Sequence, residues 1–518
     1  MREVVVVGGG TAGWLAASLI AARVNKTASD PIRVTLIESP DVATIGVGEG
    51  TWPTMRRTLE SIGLSEREFL VACDASFKQG SRFDGWVNGK PDDSYLHPFA
   101  PPIIGSGNAL LAAWTESDAH KSFAAAVSSQ DRICALGLAP KQENMPDYAG
   151  ALNYGYHLDA VKFAGLLQRH ATNMLGVRHV RDHVIAVESA ENGDIAAVTT
   201  RENGSVKGDL FIDSSGHAAL LLGGHYGVEF VDCSSVLFND RALAVQVAVD
   251  PDSAIASQTV STAHSAGWIW DIGLPTRRGI GCVYASQYLS DDEAAATLDR
   301  YLAKAIPGMN KSSSNYRQIN FRSGHRAEFW HRNCLAVGLS AGFLEPLEAS
   351  AIVLVELSLE ALLDDFPEDR EVMDIQAERF NRLFDYRWNR IIDFLKLHYV
   401  LSKREDHYWQ DQRDLATLPP QLRDLLALWK QRAPAQRDFS HVDEVFPAAS
   451  YQYVLYGMTH MTAVSDAMLQ RDTNEAVKQS AQVELHARRL ASVLPTNRAL
   501  LNAIRHAAAK SERASSHV

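Results

Sequence analysis

Cysteine is scarce in this chain. Cys73, Cys134, Cys233, Cys282 and Cys334 are the only five in 518 residues, widely spaced and odd in number. No two of them form a CxxC pair, which sets aside a disulfide framework and a thiolate zinc site in favour of reduced, mostly buried thiols. Long apolar runs are lacking as well. No stretch approaches the roughly 20 residues that span a bilayer, and no charged-then-apolar leader precedes the first apolar run, so the expectation is a cytoplasmic protein with no membrane attachment. Positive charge is in deficit: 50 Lys and Arg stand against 62 Asp and Glu, a formal charge of −12. The basic residues are scattered, which argues against a nucleic-acid partner. Internal repeats and extended low-complexity segments are missing too. A chain of this length can bury an ample core and exceeds most single domains, so two or more intergrown domains are expected.

What is present starts at once. Val4-Val5-Val6-Val7 reads as a buried parallel strand and runs into Gly8-Gly9-Gly10-Thr11-Ala12-Gly13. Trp14 to Ala22 reads as the helix that follows. Glycines at this spacing allow a tight turn, the close approach of a pyrophosphate and the packing of helix on strand. The helix start supplies free N–H groups for phosphates. A second strand, Arg33 to Ile37, ends at Glu38, placed to accept from ribose hydroxyls. Strand, loop, helix, strand and acid in this order predict a Rossmann-type dinucleotide site. The alternative is a glycine-rich turn without ligand.

Further on, Ser65 to Ala75 reads as helix, and Tyr156-His157-Leu158-Asp159 leads into a helix through His170. Val184 to Val187 and Ile195 to Thr200, split by Glu191-Asn192-Gly193-Asp194, read as a hairpin. Gly208 to Gly216 reads as a buried strand ending in an acid and small residues, as a nucleotide-binding sheet commonly returns under its cofactor. Residues 241–285 alternate like strands. Helical patterns dominate from about Ala349, and the polar tail Ser511 to Val518 is expected to fray. The fold class is α/β: a Rossmann-type module from residues 1–60, 150–220 and 320–350, intergrown with a substrate-side sheet region at 60–150 and 220–320. A mostly helical C-terminal region, 350–518, completes it.

Five ordered segments resemble the FAD-dependent tryptophan halogenases and their relatives that act on other indoles, phenols and pyrroles. Gly46-Val47-Gly48-Glu49-Gly50-Thr51-Trp52-Pro53 is similar to the family's GVGEATxP segment, and Ala75-Ser76-Phe77-Lys78 to the segment carrying its essential lysine. Tyr95-Leu96-His97-Pro98-Phe99 resembles a wall of the substrate pocket. Gly267-Trp268-Ile269-Trp270-Asp271-Ile272 resembles the WxWxIP signature, with Gly273 in place of its proline. Asn333 through Glu345-Pro346-Leu347-Glu348 resembles the segment that brings flavin and active-site acid together.

The resemblance implies an oxidoreductase in which reduced FAD, oxygen and chloride or bromide yield hypohalous acid that halogenates an aromatic ring. Lys78 would hold the oxidant. Glu348, expected beside it, would polarise the oxidant and take the proton lost from the ring. Backbone amides at Ser350 and Ala351 would cradle halide, although the chain reads Glu-Ala-Ser-Ala where tryptophan-type enzymes read Glu-Ser-Thr-Gly. FAD would be held by Gly8, Gly9, Gly10, Thr11, Ala12, Gly13, Glu38, Ser39, Ile45, Val47, Gly48, Glu49, Gly50, Val184, Leu339 and Ile352. His97, Phe99, Trp268, Trp270 and Tyr453 would line the substrate site. No amino-acid clamp is recognisable around Tyr451 to Met458, so a simpler indole or a larger aromatic is expected rather than free tryptophan. Reduced FAD would come from a separate flavin reductase, and a homodimer is compatible with the sequence.

Each residue also has a plainer interpretation. Lys78 could be a solvated surface lysine, Glu348 a helix cap, the tryptophan pair core packing, and His97 with Phe99 ordinary loop material. Two other functions stay open: an aromatic-hydroxylating flavin monooxygenase, which has no need of an oxidant-trapping lysine, and a flavin-binding protein without chemistry.

Overall fold

The computed structural model describes residues 2–24, 32–42, 48–103, 107–116, 121–307, 315–463 and 473–515. They form two compact units, each built from three separated stretches of chain. The first comprises Met1–Ala75, Leu158–Cys233 and Arg322–Trp388, the second Ser76–His157, Ser234–Phe321 and Asn389–Val518.

The first unit is organised on a six-stranded sheet in the order Trp330–His331, Cys334–Ala336, Leu210–Asp213, Glu3–Val7, Arg33–Glu38, Arg178–Arg181. All neighbours are parallel except the short edge strand Trp330–His331. The valines of Glu3–Val7 are buried, as a strand covered on both faces requires. Val4 pairs Leu210 on one side and Val34 on the other, so the strand feeding the glycine loop is central. Helix Thr11–Val24 follows the loop, and its residues Gly13 to Ala22 are all buried.

The helices begin where capping chemistry allows. Ser65 Oγ accepts from the Glu68 N–H at the start of Glu66–Ala72, and the Asp159 carboxylate accepts from Lys162 N–H at the start of Ala160–Met174. Val184–Ser189 and Ile195–Thr200 pair antiparallel, and a third strand, Gly204–Lys207, joins them.

The second unit carries a seven-stranded sheet in the order Arg317–Asn320, Arg241–Ala248, Arg277–Tyr284, Gly267–Gly273, Thr259–His264, Gly80–Asp84, Ser94–Pro98. Helix Asp291–Ala305 packs on it, starting at a Ser290/Glu293 capping box. From residue 350 onward the chain is mostly helical, in the first unit through Trp388 and in the second from Asn389, and the last helix, Asn497–Ser515, runs through positions where the polar sequence predicted fraying. Among the described residues, no helix is long and apolar enough to cross a membrane, and no group of three or more His, Cys, Asp or Glu could hold a metal ion.

Candidate active site

The glycines of the loop differ in what surrounds them. Gly8 sits at φ +119°, and a Cβ there would fall 2.1 Å from the Ser214 carbonyl oxygen. A Cβ on Gly13 would fall 1.9 Å from the Gly8 carbonyl oxygen, so helix and strand end touch through backbone. At Gly9 it would overlap the Glu38 side chain at 2.3 Å, which places that carboxylate over the loop. Gly10 alone looks onto open space, with no atom within 4 Å of where its Cβ would be. Its carbonyl accepts from Trp14 N–H at 3.0 Å and starts the helix. An open backbone face at a helix start, with an acid at the end of the next strand, is the donor and acceptor set that a dinucleotide's pyrophosphate and ribose require. Glu38 Oε2 also lies 2.9 Å from His179 Nε2, and Ser39 Oγ lies 3.2 Å from His183 Nδ1. Ile45 and Val47 lie outside the described residues.

The acid at the end of Leu210–Asp213 has a structural task. The Asp213 carboxylate accepts from the backbone N–H of Ser215, Leu221 and Leu222 at 3.1, 2.9 and 2.9 Å, and from the Ser215 hydroxyl at 2.6 Å. It anchors the return loop and the π-helix Leu220–His225. Gly338, at φ +64°, closes this side of the loop, since a Cβ there would meet the Ala12 Cβ at 2.7 Å. The half-buried Leu339 follows it.

Segments 48–53 and 345–348 meet. The Trp52 indole N–H donates to the Glu348 carbonyl at 2.8 Å. Burial pushes the nearby Glu49 carboxyl up to about 7. Glu348 is buried and adopts φ 61°, and Ala349 follows at φ 57°. Two successive non-glycine residues in the left-handed region cost roughly 1–2 kcal/mol each, and such strain clusters at functional sites. They turn the chain into helix Ser350–Asp364, whose N-cap is Ala349, a residue with no capping side chain. Ser350 and Ile352 are buried and Ala351 is exposed. Two turns into this helix, Glu356 is buried and accepts from Thr58 Oγ1 at 2.5 Å and Thr54 Oγ1 at 3.0 Å. Burial outweighs those bonds and raises its carboxyl to about 7.

In the second unit, Lys78 ends the strand Ser76–Lys78 and is completely buried. Its ammonium lies 5.3 Å from the centroid of the Phe99 ring, a cation–π contact. The adjacent Gln79 fixes this arrangement: its carbonyl accepts from Phe99 N–H at 2.9 Å, and its amide donates to the Leu138 carbonyl at 2.7 Å. His97, on Ser94–Pro98, lies 5.7 Å from Phe394 and 6.0 Å from Tyr453 between ring centroids. The Tyr453 hydroxyl donates to the Ala100 carbonyl at 3.1 Å. Trp268 and Trp270 pack edge to face at 6.4 Å, and Trp268 also contacts Trp86 at 6.2 Å. Trp270 pairs with Gly281 across the sheet, where a Cβ would strike its ring at 2.1 Å. Both tryptophans therefore pack in the unit's interior.

A sequence profile described as tryptophan halogenase matches residues 3–474. The chain belongs to the tryptophan halogenase family. It is 32% identical to the tryptophan 6-halogenase SttH of Streptomyces toxytricini over 95% of this chain and 96% of that protein. Among solved structures, a tryptophan halogenase from Shewanella frigidimarina superposes with a TM-score of 0.93 at 47% identity, covering 98% of each chain. BrvH, a flavin-dependent halogenase from Brevundimonas sp. BAL3, superposes with a TM-score of 0.83 at 33% identity, covering 97% of this chain and 99% of that one. The α/β fold with its parallel sheet and helical C-terminal part is that of these halogenases.

Three polar residues of this family member have environments that the sequence does not reveal. The acid of Asp213 was visible, but its partners, eight and nine residues on, were not. Glu356 sits in an apolar helical run (Val353-Leu354-Val355-Glu356-Leu357), and an acid on a buried stripe was the available signal. His157 lies in a strand buried at every position, Gly155–Leu158.

Proposed function

We propose that this protein is a flavin-dependent halogenase that uses reduced FAD, oxygen and chloride or bromide to halogenate an electron-rich aromatic, an indole above all. Bound reduced FAD supplies the chemistry that converts oxygen and halide to hypohalous acid. The loop amides after Gly10 hold its pyrophosphate and Glu38 its ribose, with Leu339 and Ile352 contributing apolar contact. Amides at Ser350 and Ala351 hold the halide, because a helix start favours an anion.

The observation that carries this proposal is Lys78, completely buried against an aromatic ring. Burying an ammonium carries a desolvation cost, which the face of the Phe99 ring offsets in part. Lys78 donates to hypohalous acid and keeps a small, indiscriminate oxidant from diffusing away. Glu348 takes the proton released when the halogenated ring regains aromaticity. His97, Phe99 and Tyr453 offer aromatic surface for a flat ring.

Two of the named relatives, from Streptomyces toxytricini and Shewanella frigidimarina, are tryptophan halogenases. Here three polar side chains of helix Ala448–Gly457 are tied to protein: Gln452 to the Pro434 carbonyl, Tyr453 to the Ala100 carbonyl, Tyr456 to Thr462. We therefore place a simpler indole or a larger aromatic ahead of free tryptophan. We also propose that the enzyme works in the cytoplasm, as a monomer or homodimer, supplied with reduced flavin by a separate reductase.

Incubation with FAD, NADH, a flavin reductase and bromide over an aromatic panel tests this. Products with the isotope doublet of bromine are expected. Hydroxylated products without halogen would assign the chain to aromatic monooxygenation instead.

A further inference from the structure

Strand Ser76–Lys78 pairs antiparallel with Gly155–Leu158, so that Ser76 faces His157 and Lys78 faces Gly155. In such a pair, directly opposed side chains share a face, and so do residues two apart on one strand. Gly155 has no side chain. The diagonal neighbour of Lys78 on that face is therefore His157, at a spacing that long side chains bridge. Both residues are completely buried.

The imidazole is held at one end only. Nε2 lies 2.8 Å from Thr259 Oγ1, whereas Nδ1 is buried and meets no protein partner. If Nδ1 carried the proton, it would be an orphaned buried N–H, which folded proteins tolerate less readily than a lone acceptor. The arrangement consistent with this is Nε2–H donating to Thr259, with the lone pair on Nδ1. Burial, and then the positive charge of Lys78, hold the ring neutral. A ring kept neutral presents an acceptor, and an ammonium has only donors to offer.

We infer that His157 is a positioning residue for Lys78, its Nδ1 lone pair being the acceptor that orients the ammonium through one water toward the oxidant. The inference rests on the oxidant-holding role proposed for Lys78. A loosely oriented ammonium would release hypohalous acid before it met the ring, so oxygen would still be consumed while less halogenated product formed.

Two amide substitutions separate this role from packing. His157→Gln keeps a donor near the Nε2 position and loses the acceptor at Nδ1, whereas His157→Asn keeps an acceptor at Nδ1 and loses reach to Thr259. Product formed per oxygen consumed is expected to fall about tenfold in His157→Gln, the size of one buried hydrogen bond, and less in His157→Asn. The thermal midpoint should follow the opposite order. Thr259→Val, which leaves the imidazole in place, should lower the thermal midpoint and change the ratio less than His157→Gln does. Near-normal coupling in His157→Gln, with both other variants uncoupled, would overturn the inference and leave His157 a packing residue tied to Thr259. Lys78→Ala, run alongside, distinguishes the two levels. If it stays coupled, the role of Lys78 itself fails; if it uncouples while His157→Gln does not, only the role of His157 fails.

Discussion

Alanine at Gly10 and alanine at Gly13 should have opposite consequences, although both glycines belong to one motif. At Gly13 the new Cβ would lie 1.9 Å from a backbone oxygen that cannot swing aside. Helix and strand end must separate, at the upper end of the about 1–3 kcal/mol typical of overpacking, which exceeds the ~1 kcal/mol that alanine gains in helix propensity. At Gly10 the Cβ meets nothing within 4 Å. There, loss of a tolerated N-cap glycine and the reduced entropy of the unfolded chain are each about 0.5–1 kcal/mol and oppose one another. The methyl would instead occupy the space where a pyrophosphate approaches. Loss of one charge-assisted hydrogen bond, about 1.5–3 kcal/mol, weakens FAD binding roughly tenfold to hundredfold. Scanning fluorimetry of the apoproteins and FAD titration by fluorescence quenching measure both quantities. Gly13→Ala should melt clearly below wild type, and Gly10→Ala should melt like wild type while binding FAD weakly. Undiminished FAD binding by Gly10→Ala would refute the assignment of this loop as the pyrophosphate cradle.

Glu348→Gln preserves the backbone carbonyl that accepts from Trp52 and removes the carboxylate proposed as the base. Turnover should drop by ~10²–10⁴ at an unchanged thermal midpoint, with oxygen still consumed; an unchanged yield of product per oxygen would take Glu348 off the catalytic list. Glu356 provides a pH test. Its folded value of about 7 lies above the ordinary carboxylate value, so the native state prefers the protonated form. Its destabilising effect sets in as pH rises from about 4.5 to about 7 and is complete above that. Glu356→Gln should therefore melt near wild type at pH 5 and above it at pH 8, and a variant less stable than wild type at pH 8 would show that the ionised carboxylate is stabilising.

The glycine loop was legible because its requirements are local: an apolar run, three glycines at fixed spacing, an apolar helix and an acid. The hairpin around residues 191–194 and the strands of residues 241–285 were legible through turn residues and alternation. Long-range facts were not. Nothing local in Trp268 and Trp270 reveals their interior packing, because their neighbours, Trp86 from the bend after Gly80–Asp84 and Gly281 from the adjacent strand, are distant in sequence. The left-handed turn at Glu348 and Ala349 was equally hidden, since neither residue type favours that conformation; tertiary packing imposes it. The polar end of the chain read as a fraying tail, yet its residues through Ser515 continue a helix whose start is anchored, with the Asn497 side-chain amide donating to the Phe77 carbonyl at 3.1 Å.

Halogenation is proposed to depend on Lys78, and its substitution is the most direct measurement. Lys78→Ala and wild type would be compared under identical supplies of reduced FAD, oxygen, bromide and an indole, with brominated product and oxygen consumption followed together. The variant should bind FAD and consume oxygen at close to the wild-type rate while forming no brominated indole, because the role proposed for the lysine comes after the oxidant is made. Brominated product at the wild-type ratio to oxygen would contradict the proposal that this buried lysine holds the oxidant.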